Sequence, residues 1–299
     1  MIRSFSLSKQ YGAVSAVDNV DLTVEAGEVF GFLGPNGAGK STFIDMLLDL
    51  TRPTSGEVSV LDYDPQEEPR SVRECVGVLP ESVGYYDQST AREHLVFAAR
   101  MKRVDADTDT LLSRVGLTDA AEREVGGFSK GMRQRLGLAI ALVGEPDLLI
   151  LDEPLSGLDP DGARLLREAV RQERDRGAAV FFSSHILETV EELCDRVGVM
   201  NEGSLVVVDT LENLRAEHGE ETFVVTVDAV PESHGVGSLD GVDELVVDRK
   251  TLRLNLDSPR KKARVVRALE AAGATVLNME TERTPMTELF HDIAEGEER

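Results

Sequence analysis

The chain has 299 residues, a length that suits one large domain or two unequal ones with ample core. Its formal net charge is −23, and 25 of its 32 basic residues are arginine. A chain this acidic repels phosphates, which excludes non-specific binding to nucleic acid. The composition favours adaptation to concentrated salt, as in a halophile, over an ordinary acidic cytosolic protein, because salt screens self-repulsion.

Neither the cysteines nor the termini indicate an exported or membrane-spanning chain. Cys75 and Cys194 show no C-x-x-C spacing, so we interpret both as small core residues rather than as a disulfide or metal site. Residues 1–12 lack the apolar stretch of a signal peptide. The longest apolar run, at 136–144, is about half of what a membrane span needs. We expect a soluble, cytoplasmic chain.

The first predicted strand covers residues 20–24, where apolar and polar side chains alternate. An apolar run at 28–33 then leads into a glycine-rich loop, and residues 40–50 have the spacing of a helix. The loop reads Gly-Pro-Asn-Gly-Ala-Gly-Lys-Ser at 34–41 and fits the pattern G-x-x-x-x-G-K-[ST]. Strand, loop and helix therefore follow in the order that a phosphate-binding loop requires.

This loop predicts a site for a nucleoside triphosphate with Mg²⁺. Its glycines let backbone N–H groups approach the β- and γ-phosphates. Lys40 adds a positive charge there, and the Ser41 hydroxyl is a possible ligand for Mg²⁺. We assign to nucleotide binding the residues Gly34, Pro35, Asn36, Gly37, Ala38, Gly39, Lys40, Ser41 and Thr42.

The middle of the chain changes from strands to helices. Residues 56–61 and 76–80 predict strands, the second of them stopped by a proline. Between these strands, residues 65–75 are polar and helical at best. Helical periodicity then dominates residues 89–143.

Two carboxylates follow the apolar run at 148–151, which is typical of a parallel strand buried on both faces. Asp152 leaves this strand, where it could hold Mg²⁺ through water. Glu153 comes next, where it could polarise a water molecule against the γ-phosphate as a general base. Two acids at a strand end could also form a solvated turn, but the phosphate-binding loop upstream favours the catalytic interpretation.

The segment after these carboxylates continues the alternation of helix and strand. The spacing predicts a helix over 161–176, a strand over 178–182 and a helix over 186–194. Strands at 197–200 and 205–208 flank a turn and predict a hairpin.

After about residue 217 the pattern of predicted strands and helices changes, and we interpret residues 218–299 as a separate small α+β unit. The alternative, that its strands extend the first sheet, stays open. The unit's predicted elements are strands at 222–227, 244–247, 252–256 and 274–278, a helix from Ser258-Pro259 to Ala272, a flexible connection at 235–241, and a final helix from Thr284-Pro285 to about Ala294.

Further motifs connect these segments to a known family. Residues 128–135 (FSKGMRQR) resemble the signature motif LSGGQ-QR, and residues 155–160 (LSGLDP) resemble the D-loop. His185 matches the switch histidine, and Tyr11 matches the aromatic residue that stacks on adenine. With the phosphate-binding loop and the paired acids, they make about residues 1–217 similar to the ATP-binding cassette subunits of ABC transporters.

The resemblance implies an α/β fold of the P-loop NTPase cassette type, with a mixed sheet and a helical subdomain at about residues 82–145. It implies that Ser129 and Gly131, at the start of a helix, bind the ATP held by an opposite cassette. Asp159 would lie at that interface and link the two sites. His185 would hydrogen-bond the γ-phosphate and help to position Glu153 and the water. Homodimer and heterodimer both stay open, but the intact acid and histidine and the nearly intact signature favour a homodimer with two working sites.

Two departures from the family pattern stand out. Lys130 replaces the first signature glycine and Met132 the terminal glutamine, so Lys130 could alter the charge at the interface. The family's magnesium-binding glutamine is replaced by Glu81, whose carboxylate can still supply an oxygen to Mg²⁺. Gln88 is the competing candidate for that role.

The expected function is an ATPase motor, with Glu153, His185 and Lys40 as catalytic residues, that drives export through a separate integral membrane permease. Residues 284–290 (TPMTELF) and the signature variant resemble the branch that works with ABC-2 permeases. The chain would be cytoplasmic and peripheral on the inner face of the cell membrane. The alternative is a soluble ABC ATPase acting on nucleic acid or ribosomes, against which the acidity argues. In a third, compatible interpretation, residues 218–299 sense a ligand.

Overall fold

The computed structural model describes residues 1–185, 187–218, 221–231, 234–256 and 258–283. These residues form two compact units, the first spanning Met1–Leu211 and the second beginning at Glu212. The division falls just before the boundary expected at 217, because a helix at 211–218 follows directly on the last strand of the first unit. Within the described ranges, every helix is too short or too polar to cross a membrane.

The first unit alternates strands and helices along the chain. Its strands are β1 (Ile2–Tyr11), β2 (Val14–Val24), β3 (Val29–Leu33), β4 (Ser55–Val60), β5 (Val76–Leu79), β6 (Leu148–Asp152), β7 (Ala179–Ser184), β8 (Arg196–Asn201) and β9 (Ser204–Thr210). Its helices are α1 (Lys40–Leu47), α2 (Pro69–Cys75), α3 (Ala91–Lys102), α4 (Thr108–Arg114), α5 (Lys130–Ala141), α6 (Pro160–Arg176) and α7 (Leu187–Leu193), and α8 (Leu211–His218) begins at the division.

Strands β1, β2 and β4 form an antiparallel sheet in the order β2-β1-β4, with the N-terminal strand β1 at its centre. Sequence periodicity did not indicate its central strand, β1. The reason is physical: Ser6 has a φ of 45°, and the pairing of β1 shifts register against both β2 and β4. Such irregularities break the period of two on which strand prediction depends.

A six-stranded sheet forms the centre of the first unit, in the order β5-β6-β7-β3-β8-β9. Five strands are parallel and β9 returns antiparallel to β8. All residues of β3, β6 and β7 are buried, as the continuous apolar runs require. The parallel register places the carboxyl ends of these three strands at one edge of the sheet, where Leu33 pairs with Ser184 and Asp152 with Ser183.

Aromatic side chains fill the core beneath this edge. The ring of Phe32 on β3 lies 5.0 Å from that of Phe43 on α1 and 5.1 Å from that of Phe181 on β7, measured between centroids. All three are fully buried, and each such ring contributes about 1.5–3 kcal/mol by burial. The packing fixes α1 against the sheet and so fixes the loop that precedes it.

The predicted helices around the sheet carry clear end signals. Thr90 begins α3 with a capping box that involves Glu93. Ser129 caps α5, and Asp159 followed by Pro160 begins α6. Gly177, with a φ of 99°, ends α6 in the left-handed conformation that glycine adopts most easily.

Both cysteines are free and half-buried. Burial raises the pKa of the Cys75 and Cys194 thiols, which opposes formation of a reactive thiolate. Cys194 packs so closely beneath Gly31 that a β-carbon there would lie 2.9 Å from its sulfur. The two thiols act as packing groups.

The second unit has its own antiparallel sheet in the order β11-β12-β10-β13. The strands are β10 (Glu221–Val227), β11 (Val242–Asp248), β12 (Thr251–Leu256) and β13 (Val276–Arg283), and the helix is α9 (Lys262–Ala271). Val265 and Leu269 of α9 pack with Phe223 and Leu254 of the sheet in a separate core. These strands do not extend the six-stranded sheet.

Some predicted boundaries in this unit were wrong. Helix α9 begins at Lys262 instead of Ser258, because a 3₁₀ turn occupies Pro259–Lys261. Strand β13 is longer than predicted, and the connection predicted to be flexible contains a 3₁₀ turn at Val236–Ser238 with Val236 buried. The final helix predicted for 284–294 lies outside the described residues.

Candidate active site

Backbone geometry explains the glycines of the phosphate-binding loop between β3 and α1. Gly34 and Gly39 have φ values of 153° and 105°. A β-carbon on Gly34 would lie 2.2 Å from the Met200 carbonyl oxygen, and one on Gly39 would lie 2.1 Å from that of Ala16. Neither position accepts a side chain. Gly37 is different, since a β-carbon there would meet open space, as the exposed rim of a ligand site requires.

Lys40, the first residue of α1, is buried beneath this loop, with 6% of its surface exposed. Its Nζ atom donates to the carbonyl oxygens of Gly34, at 2.7 Å, and Pro35, at 3.2 Å. Burial lowers the pKa of the Lys40 ammonium, and the negative charges of Glu153, Asp152 and Glu81 oppose this. A bound phosphate group would add a further negative charge beside this buried cation.

Asp152 ends β6 and is buried, while Ser183 on the neighbouring β7 is fully buried. The Ser183 hydroxyl donates to Asp152 Oδ1 and accepts, at 3.1 Å, from the backbone N–H of Glu153. Sequence reasoning assigned no role to Ser183. A hydroxyl group within an otherwise apolar buried strand was the available signal.

Glu153 lies between two positively charged or polar partners. One oxygen, Oε2, is 2.9 Å from His185 Nδ1, and the other, Oε1, is 3.9 Å from Lys40 Nζ. Oε1 is buried and has no hydrogen-bond partner among the described residues. The backbone of Glu153 has a φ of 46°, a conformation that non-glycine residues seldom adopt and that concentrates at functional sites. This carboxylate is arranged to accept one further hydrogen bond.

The oxygen groups at this edge suit a hard cation. The Ser41 side chain is exposed at the start of α1, Asp152 is buried at the end of β6, and Glu81 follows β5 close enough to affect the pKa of Lys40. Gln88 has no described contact with this group. The described ranges contain no cluster of three or more histidine, cysteine or acidic side chains that could hold a metal alone, so any Mg²⁺ here would need phosphate or water ligands.

The remaining predicted site residues lie at other places on the unit. Tyr11 is half-exposed, its hydroxyl lies 3.2 Å from Thr51 Oγ1, and Lys9 Nζ lies 4.9 Å from its ring centroid. Ser129 Oγ accepts from the Met132 N–H, and Asp159 Oδ1 accepts from the Gly162 N–H, so both act as helix caps.

The structure therefore groups the predicted residues into two sets. Lys40, Asp152, Glu153 and His185 meet at the sheet edge beside the phosphate-binding loop. Ser129, Gly131 and Asp159 lie near the starts of α5 and α6, and no described contact joins them to that loop. One chain thus presents a group of lysine, carboxylates and histidine and, separately, exposed helix N-termini.

Comparison with known proteins places this geometry in a family. The ABC transporter family model matches residues 17–156. The linearmycin resistance ATP-binding protein of Bacillus subtilis is 32% identical over 93% of this chain and 92% of its own length. The daunorubicin resistance ATP-binding protein of Streptomyces coeruleorubidus is 33% identical over 97% of this chain and 94% of its own length. The bacitracin transport ATP-binding protein of Bacillus licheniformis is 39% identical over 72% of this chain and 71% of its own length.

Solved structures agree with this assignment. An ATP-binding subunit of an ABC transporter, 32% identical, superposes with a TM-score of 0.68 over 73% of this chain and 92% of its own. A dimeric cassette bound to ADP and phosphate, 22% identical, superposes with a TM-score of 0.65 over 71% of this chain and 99% of its own. At this identity the likeness supports the fold alone. The chain belongs to the ABC transporter family, as an ATP-binding subunit with that family's ATPase cassette.

Proposed function

We propose that this chain is the MgATP-hydrolysing motor of an export complex, working with a second copy of itself and a separately encoded membrane permease. The linearmycin and daunorubicin resistance proteins match nearly the whole chain, including the second unit, and their names refer to drug resistance. These relatives favour export over the alternative of a soluble ATPase acting on nucleic acid or ribosomes. The chain would be cytoplasmic, on the inner face of the membrane.

The Oε1 atom of Glu153, buried without a hydrogen-bond partner among the described residues, is the observation that carries the hydrolysis proposal. Glu153 would take a proton from a water molecule as the water oxygen bonds to the γ-phosphorus, and the bond from phosphorus to the β–γ bridging oxygen would break to leave ADP. Lys40 would bind the phosphates, and His185 would hold Glu153 through Nδ1. Because Glu153 directly follows β6 and His185 directly follows β7, the base is positioned before substrate arrives.

Ser41, Asp152 and Glu81 would hold Mg²⁺, with Asp152 acting through water. The bound ion would neutralise phosphate charge. The loop and these oxygen groups suit it, since glycines at 34 and 39 allow the tight backbone path there, where β-carbons would clash with the carbonyl oxygens of Met200 and Ala16. Tyr11 would stack on the adenine, and its half-exposed ring supports this role.

A second cassette would complete the site. Ser129 and Asp159 are exposed, and no described contact brings them to the phosphate-binding loop of their own chain. The N-terminus of α5 carries the partial positive charge that favours a phosphate. In a symmetric dimer each copy would supply this helix end to the nucleotide of the other.

The helical region offers a surface for the permease. A groove of about 440 Å³ lies beside the loop at 82–89 and is lined in part by Tyr86, Arg92, Phe97 and Arg100. Tyr86 and Phe97 are more than half exposed, which is unusual for aromatic side chains on a surface that stays in water. We infer that a permease segment docks here and moves when the two cassettes close.

Glu153→Gln tests the proposal, because the amide keeps the shape of the carboxylate but cannot accept the proton. We expect the variant to bind MgATP and to release phosphate at least about 100-fold more slowly than wild type. We also expect it to form a dimer that co-purifies with a multi-span membrane protein. Glu270→Gln, an exposed position on α9, is the matched control and should behave as wild type. Normal turnover in Glu153→Gln, or recovery only with ribosomes or nucleic acid, would overturn the proposal.

A further inference from the structure

The first turn of α5 contacts the loop that follows Glu153. Lys130 Nζ donates to Ser156 Oγ at 2.9 Å. The stem of the same side chain covers Gly157, where a β-carbon would lie 2.6 Å from Lys130 Cδ and 2.9 Å from Cε and Cγ. Gly157 has a φ of 77°. The lysine thus combines a hydrogen bond with a close packing contact that only glycine at 157 allows.

A second contact from α5 supports the first. One turn further along, Gln134 Nε2 donates to the Pro154 carbonyl oxygen at 3.1 Å, and this bond is buried. Lys130 and Gln134 are four residues apart and so lie on the same face of α5. Between them, Gly131 approaches the loop so closely that a β-carbon there would be 3.0 Å from the Gly157 carbonyl oxygen.

The contacted loop holds the candidate general base. The Ser156 N–H donates to the Glu153 carbonyl oxygen at 3.1 Å, which closes a tight turn over residues 153–156. The Glu153 backbone is in the left-handed region and needs its surroundings to keep it there. A shift of Ser156 would therefore loosen the backbone turn that holds Glu153 in this conformation.

We propose that Lys130 is a positioning residue for ATP hydrolysis, which acts on Glu153 through Ser156. The inference rests on the proposed function and adds a residue to it. A glycine at 130 could not make this bond, so the link is a property of this chain's own signature sequence. A positive charge at the start of a helix is opposed by the helix dipole, and the Ser156 oxygen offsets part of this cost.

This link joins two functions within one chain. The N-terminus of α5 would meet the nucleotide of the second copy, whereas the loop at 153–157 serves the chain's own nucleotide. Lys130 is exposed in the single chain, and closure of the dimer would cover its bond to Ser156 and strengthen it. Closing at one site would thus fix the base at the other.

Steady-state kinetics of the full-length chain test the inference. Lys130→Met keeps the stem over Gly157 but removes the donor. We expect kcat to fall about fivefold while KM for MgATP changes by less than about twofold, because the base is misplaced but the phosphate-binding loop is intact. Lys130→Arg should restore most of the rate. Lys250→Met, on the exposed turn after β11, is the matched control.

A double-mutant cycle separates this role from its alternatives. Ser156→Ala should lower kcat as much as Lys130→Met, and the double variant should lose no more than either single one. A normal rate in Lys130→Met, additive losses, or a loss in Lys130→Met with a normal rate in Ser156→Ala would overturn the inference; the last result would indicate direct contact with phosphate. Failure of the proposed function itself would appear elsewhere, as absent turnover in wild type or normal turnover in Glu153→Gln.

Discussion

Glu153 shows how this site stores strain at a single residue. Its backbone conformation costs on the order of 1–3 kcal/mol, and one oxygen is buried without a hydrogen bond. The Ser183 hydroxyl and the Ser156 turn hold the backbone in place. The result is a carboxylate fixed in direction but without a hydrogen bond to one oxygen, which is a disadvantage for stability and, in the proposed role of general base, an advantage for taking a proton from water.

Lys40→Met is expected to stabilise the nucleotide-free chain while weakening MgATP binding at least about tenfold. Burial lowers the pKa of Lys40, so the unfolded chain binds more protons than the folded one between that lowered pKa and 10.5. The cost of the buried charge is fully present below the lowered pKa of Lys40 and is lost as the pH rises through this window. The variant's advantage should therefore be largest below that window and shrink as the pH rises toward 10.5.

Thermal unfolding with and without MgATP measures both effects for Lys40→Met. Wild type should gain about 2.7 kcal/mol at a ligand concentration 100 times its Kd, and the variant should gain far less at the same concentration. Lys250→Met, which removes an exposed charge, controls for net charge. An equal MgATP-induced shift in Lys40→Met and wild type would contradict the assignment of Lys40.

At the scale of elements, local sequence rules predicted what depends on local geometry. The phosphate-binding loop was recognised because a tight turn onto a helix restricts its residues, and the predicted cassette fold is confirmed by the solved relatives. Strand β1 was missed because bulges disturb its alternation. The contacts of Ser183 with Asp152 and of Lys130 with Ser156 depend on sheet register and on helix placement, which no short window contains. The roles of the site residues stay predictions.

Helix α6 is tied to the helical region by a buried ion pair, and Glu173→Ala should destabilise the first unit by about 3 kcal/mol. Glu173 is 3% exposed and lies 2.7 Å from Arg114 Nη2 of α4 and 2.9 Å from Arg176 Nη2. Removing it leaves two partly buried arginines, Arg114 and Arg176, without their carboxylate, which costs more than the pairing contributed. Chemical denaturation monitored by circular dichroism gives the free energy of unfolding.

Glu168→Ala is the matched control on the same helix. Glu168 pairs with Arg164 at 2.6 Å, but both side chains are about half exposed, so the loss should stay below about 0.5 kcal/mol. Equal losses of unfolding free energy in Glu173→Ala and Glu168→Ala would mean that burial does not increase the contribution of the Glu173 ion pair to stability.

At the scale of the whole molecule, charge sets two opposing demands. The chain carries a net charge of −23, yet the proposed function requires it to bind an anionic nucleotide and to approach a second copy of the same charge. Locally, backbone N–H groups and Lys40 offset this repulsion at the phosphate-binding loop. Over longer distances only dissolved ions can reduce it, because exposed charges are screened over about 10 Å at 0.1 M salt and about 3 Å at 1 M.

We therefore expect both folding stability and MgATP-dependent dimerisation to rise with KCl. Screening is nearly complete once the screening length falls to about 3 Å, so the gain should be steep at low salt and level off above about 1 M. A general strengthening of apolar burial by excluded salt would instead continue to grow with concentration. Thermal unfolding of wild type and light scattering of Glu153→Gln with MgATP, each across a KCl series, distinguish the two. Cooperative, salt-independent unfolding down to about 0.1 M KCl would show that this chain does not depend on salt to tolerate its charge.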